Sequence, residues 1–140
     1  MLYEFVYDLP RVLAFVRTLL PGMHQADNMV AMGLERDGRM VAGVLYEGIN
    51  AHNCWMHIAV KSGANWAGGR EFMRAVFAYP FRACGVRRVS AYVNERNERS
   101  VRLCRRLGFR EEAILRGAAT DGGSVIVMVL WRDECHFLKG

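Results

Sequence analysis

A chain of 140 residues, 52% of them apolar and 24% charged, has the size and composition of one folded domain, residues 1–140, and not of a disordered segment. No run approaches the ~20 apolar residues of a membrane span. Glu4 and Asp8 stand where a secretory leader would be basic and then apolar, so a cytoplasmic protein without a membrane partner is expected. The net charge of +5 rests on 17 Arg and two Lys, and ten of the Arg lie between Arg82 and Arg116 against four acids. That density suits a polyanionic partner, nucleic acid included, or simply a solvated helix face. Cys54, Cys84, Cys104 and Cys135 are too widely spaced for a Cys-x-x-Cys pair, so four reduced thiols and no metal site are expected.

In chain order, Leu2 to Tyr7 reads as a first strand. Asp8 and Pro10 then open a helix that runs to Leu20, with Val12, Leu13, Phe15, Val16, Leu19 and Leu20 as its apolar face. Pro21-Gly22 stops it. Two strands, Asn28–Glu35 and Arg39–Tyr46, flank Arg36-Asp37-Gly38, and Asp-Gly between apolar runs is a hairpin signal. Asn53 to Val60 is a further strand. The glycine-rich stretch from Lys61 to Arg70 feeds a helix from Glu71 to about Cys84, which Pro80 should kink or end early. Such a turn offers unpaired N–H groups and the positive end of a helix dipole, a ready anion site.

The next unit organises the rest. Arg88 to Val93 alternates apolar and polar residues as a strand does, Asn94-Glu95-Arg96-Asn97 turns the chain, and Ser100, Leu103, Cys104 and Leu107 share one helix face. Either Asn can cap that helix, and Gly108 follows its end. Beyond it, Glu112–Arg116 is a short strand, Asp121-Gly122-Gly123 a turn and Ser124–Trp131 a buried strand, before a tail whose Cys135, Phe137 and Leu138 pack back.

Asn97 with Ser100, followed by Leu107-Gly108-Phe109, resembles the Asn-x-x-Ser … Leu-Gly-Phe signature of the GNAT superfamily of acetyl-CoA-dependent N-acetyltransferases. The resemblance is to the branch that includes the ribosomal-protein alanine acetyltransferases. Tyr79-Pro80-Phe81, the Gly85–Val89 strand entry, and Glu111–Arg116 with Asp121 extend it over residues 30 to 135. It implies an α/β (α+β) fold: a mixed, mostly antiparallel sheet of six to seven strands with helices on both faces. A V-shaped splay would separate strand 4 (Asn53–Val60) from strand 5 (Arg88–Val93).

The resemblance also implies acetyl-CoA as co-substrate and an amine acceptor, on a protein N-terminus or a small molecule. By it, the backbone at Ala59 and Val60 holds the pantetheine and polarises the thioester, and Asn94 and Asn97 bond the pantetheine amides. The family's pyrophosphate loop reads Q/R-x-x-G-x-G/A. Here Gly68-Gly69-Arg70 is the nearest equivalent, its glycines set a residue or two late and close to Trp66, so the loop is either a variant using Gly63, Gly68, Gly69 and Arg70 or degenerate. Many members carry Tyr four residues before the Gly of Leu-Gly-Phe, where this chain has Cys104. Ser100 is the first candidate to protonate the leaving thiolate and Cys104 the second. Each has a plainer alternative, a hydroxyl bonded to a backbone carbonyl and a small buried thiol. His57 has the intrinsic pKa of a base, provided the register turns it toward the site. Glu47 and His52 are fallbacks, and His24, Gln25 and Asp27 are candidate acceptor contacts. The departures at the loop and at Cys104 leave a second hypothesis, a GNAT-fold binding or assembly module without transferase activity, associated with nucleic acid. Assembly as a homodimer is also left open.

Overall fold

In the computed structural model, which describes residues 2–62 and 69–139, the chain runs β1 (Tyr3–Val6), α1 (Leu9–Leu19), β2 (Val30–Arg36), β3 (Arg39–Glu47) and β4 (Asn53–Val60). It continues as α2 (Gly69–Ala78), β5 (Arg88–Asn94), α3 (Glu98–Leu107), β6 (Arg110–Leu115) and β7 (Val125–Trp131). The strands form one sheet in the order β1-β2-β3-β4-β5-β7-β6. All neighbours are antiparallel except β4 and β5.

Strand alternation sends side chains to two faces, and each face is covered by a helix. On one, Val12, Leu13 and Val16 of α1 pack against Ala31, Leu45 and Ala59. The approach is close: a Cβ at Gly43 would lie 2.9 Å from Val16 Cγ2. On the other face, Phe72, Met73, Val76 and Phe77 of α2 pack over Met32, Val44 and Met56. There the buried Tyr46 hydroxyl donates to the carbonyl of Val76 at 2.6 Å.

Local chemistry explains most boundaries. Asp37 and Gly38 both take positive φ (50° and 82°), the geometry of a two-residue turn whose twist matches the flanking strands. Asn97 caps α3, accepting from the Ser100 amide at 3.2 Å, and Gly108 ends it at φ 106°. Asp8 precedes α1 without any side-chain cap bond. Pro80 ends α2 at Ala78, and Tyr79–Ala83 continues as a single wider π turn because the ring withdraws an N–H from the ladder. The apolar face of α3 divides. Val101, Cys104 and Leu107 are buried, while Ser100 and Leu103 turn toward a groove beside the sheet. β6 begins two residues before the expected strand. It is exposed along its whole length, so no alternation marks its start.

The splay is the feature that positions a site. β4 and β5 pair only over Asn53↔Arg88, Cys54↔Val89 and Trp55↔Ser90. Beyond that seam β5 follows its long antiparallel ladder with β7 and leaves β4. Buried Ser90 pins the apex, donating to Asn53 Oδ1 at 2.5 Å and accepting from Arg88 Nε at 3.2 Å. Arg88 also grips Glu112 with two bonds of 3.0 and 2.7 Å. Its guanidinium is the main reason that carboxyl titrates below the usual range.

Candidate active site

Where β5 departs, the edge of β4 is left without a strand partner. Lys61 donates its amide to Val41 on β3 at 2.8 Å. Ladder alternation therefore aims the backbone groups of Met56, Ile58 and Val60 away from β3 and into the opening, while Ala59 stands opposite Gly43. Arg99 of α3 reaches across and donates to the Val60 carbonyl.

Two chambers occupy the V. The smaller, about 280 Å³, lies between the end of β4 and α3 and is bounded by Ala59, Val60, Lys61, Asn97, Arg99, Ser100, Arg102 and Arg106. Among the described residues it has four cations in its wall and no acid, so it suits a polyanion such as a diphosphate. An open strand edge beside such a wall fits CoA, whose pantetheine carries amides and whose other end carries phosphates. Gly69 is buried and Arg70 exposed at the start of α2. Gly63 and Gly68 of the expected phosphate loop lie outside the described residues.

The larger chamber, about 460 Å³, opens on the other side of α3, and Leu20, Ile58, Asn97 and Ser100 belong to both. Its walls include Met23, His24, Glu47, Met56, His57, Tyr92, Asn94 and Cys104. Ala118, Ala119 and Thr120 close it from the β6–β7 connection. That connection is tied to the β5–α3 turn: Glu95 N–H donates to Ser124 O at 2.9 Å, and Arg96 Nη1 donates to Asp121 O at 3.2 Å. Gln25 and Asp27 are exposed and outside the chamber.

At its wall, His57 Nε2 and Glu47 Oε2 are 2.6 Å apart. The register places His57 opposite Leu45, on the α1 face, with its side chain 3% exposed against 24% for Glu47. Burial pushes the imidazole below its ordinary 6.5 and outweighs the opposing pull of Glu47. His57 is therefore neutral at pH 7, donating Nε2–H to the carboxylate. His57 also meets the edge of Tyr92, ring centroids 4.9 Å apart. Burial, and then the charge of Glu47, keep the Tyr92 phenol above 10.

His52, by contrast, sits in the β3–β4 turn at the closed end of the V. Its carbonyl accepts the Arg87 and Arg88 amides there, so it does not share the chamber with Glu47 and His57. Asn94 accepts the Arg96 amide at 3.0 Å, so both Asn side chains brace the turn before α3 as well as lining the chamber. Cys104 is buried, and desolvation alone lifts its thiol to about 11. In the sequence Tyr92 is marked only as part of the alternating Arg88–Val93 strand. Its place in the chamber depends on the splay, which no local pattern reveals.

An antiparallel sheet that opens at one parallel seam, with a cationic chamber joined to a second one, is an arrangement that suits a transferase with a polyanionic donor. The family is shown directly. The chain belongs to the GNAT acetyltransferases, the model of the acetyltransferase (GNAT) domain matching residues 11–110. It is thus an acyltransferase of the N-acetyltransferase class, with acetyl-CoA as co-substrate. No curated protein matches the chain.

Among solved structures, a mutant form of the spermidine N-acetyltransferase SpeG from Vibrio cholerae is similar at TM-score 0.75 and 15% identity, covering 98% of this chain and 96% of that one. SpeG from the same organism in complex with manganese ions is similar at TM-score 0.70 and 17% identity, with 92% of each chain covered. At such identities the likeness is one of fold. Among the described residues no helix is long and apolar enough to cross a membrane.

Proposed function

We propose that the chain moves the acetyl group of acetyl-CoA to a primary amine, of a small molecule or a protein N-terminus. Glu47 is the proton acceptor and His57 the residue that holds it in place. The observation that carries this reading is the Glu47–His57 pair on the wall of the larger chamber, which meets the cationic chamber at Asn97 and Ser100.

Acetyl-CoA supplies an acetyl group already activated as a thioester. Lys61, Arg99, Arg102 and Arg106 hold its phosphates, together with Gly69 and Arg70 at the start of α2 and Gly68 before them in the sequence. The open edge of β4 at Ile58 and Val60 and the amides of Asn94 and Asn97 take the pantetheine, whereas Ala59, expected to share in this, turns its backbone groups to Gly43 on β3. An amine reaches the larger chamber as ammonium. Glu47 attracts it and accepts a proton, which frees the nitrogen lone pair, and the neutral imidazole of His57 keeps the carboxylate aimed. As the new N–C bond forms and the C–S bond breaks, Ser100 and the positive end of α3 stabilise the departing sulfur, which receives the second proton of the nitrogen by way of water. Cys104 keeps its own proton throughout.

The test is a calorimetric titration with acetyl-CoA followed by thiol release in the presence of primary amines. Glu47→Gln should lower turnover roughly 100-fold and leave acetyl-CoA affinity in place. Gly69→Glu, which sets a side chain and a negative charge at the phosphates, should abolish binding. Wild-type turnover by Glu47→Gln would remove Glu47 as the base.

A further inference from the structure

We infer that the acceptor is a primary monoamine carried on an apolar body, not a polyamine, an inference that rests on the acetyltransferase reading of the site. Among the described residues of the larger chamber, Glu47 is the only acid. That carboxylate already takes the Nε2–H of His57 and has room for one ammonium group. Most of the remaining wall is apolar, with Leu20, Pro21, Met23, Met56, Val93 and Val125 among its residues, and the Tyr92 ring lies beside Glu47.

A single charge with a hydrocarbon or aromatic tail meets all of this: the nitrogen at Glu47, the body against the apolar wall and the aromatic ring. A triamine arrives with three ammonium groups. One must lose a proton to react, and the other two find no further carboxylate among the described residues. They must be desolvated unpaired or stay in solvent. The adjoining chamber adds four cations, and the whole chain is +5, so a polycation approaches against the field.

Steady-state thiol release should be compared for phenethylamine and spermidine at saturating acetyl-CoA, with calorimetry of each amine on the CoA-saturated protein. The expected kcat/KM ratio favours phenethylamine by about tenfold or more. Spermidine turned over as well or better overturns the inference and leaves acetyl transfer standing. If neither amine is acetylated, acetyl transfer to other amines still stands on the thiol-release assay of the proposed function, and the binding arm decides the acceptor class alone. Phenethylamine bound and spermidine not bound supports the inference, while the reverse, or binding of neither, overturns it. Thr120→Glu, an exposed change that adds a second carboxylate to the chamber, should raise the ratio of spermidine to phenethylamine about fivefold. An unchanged ratio overturns charge as the discriminator.

Discussion

Arg99 on α3 and Val60 on β4 are joined by a side-chain-to-carbonyl bond across the open end of the V, in the chamber proposed for the donor substrate. The bond satisfies a strand-edge carbonyl that has no ladder partner, and it has to yield before a ligand can take that carbonyl. Arg106 lines the same chamber and holds no bond of this kind to β4 among the described residues. Arg106→Ala should therefore weaken acetyl-CoA binding more than Arg99→Ala, by roughly tenfold against roughly threefold at low salt. Both losses should shrink as ionic strength rises. Titration calorimetry at two salt concentrations checks the order and the salt response.

Burial holds the His57 imidazole below its ordinary 6.5, so the unfolded chain takes up that proton first as pH falls. The contribution of this group to stability is complete above the unfolded value and is lost as pH drops through and below it. The melting temperature should fall from pH 7 to pH 5.5. His57→Gln, which keeps a donor for Glu47 without a titrating ring, should show a shallower fall. Calorimetric scans across that range provide the comparison, and parallel slopes would assign the pH response to other groups.

Ser100 belongs to both chambers and sits in the first turn of α3. Its amide caps on Asn97, so replacing the hydroxyl leaves the cap intact. Ser100→Ala should reduce turnover roughly 10- to 100-fold with acetyl-CoA affinity near wild type. Unchanged turnover would remove Ser100 from the chemistry.

Gly43 is the point where α1 sits closest to the sheet. Its Cβ would stand 2.9 Å from Val16 Cγ2 and 3.2 Å from both Phe15 and Val12 atoms. Gly43→Ala should cost about 1–3 kcal/mol in denaturant unfolding as the helix is pushed outward. Ala42, next along the strand, is already a buried alanine and shows that size is tolerated on the α2 face.

The elements that were legible in the sequence are those whose signals are local. Asp37-Gly38, the Asn97 cap with Gly108, and the apolar run of β4 each carry their geometry in a few neighbouring residues, and the structure has all three. The site is different because its partners are distant in the chain. Glu47 and His57 meet across a strand pair whose register decides which face each one takes. His52, by sequence a fallback base alongside Glu47, falls at the closed end of the V. Tyr92 and the 118–120 segment enter the chamber only because β5 leaves β4 after three residue pairs. That divergence is a property of the whole sheet.

Cys104 lies in the wall of the larger chamber, where CoA-derived disulfides could meet it. A cysteine at its ordinary pKa there would invite mixed disulfides whenever oxidised CoA entered the groove. With the Cys104 thiol lifted to about 11, only on the order of one molecule in several thousand carries its thiolate near pH 7.5. Cys54, lifted to about 12, is quieter still. The same desolvation that packs α3 onto the sheet thus makes the groove slow to be capped by oxidised CoA, and Cys104 should resist alkylating reagents until the chain unfolds.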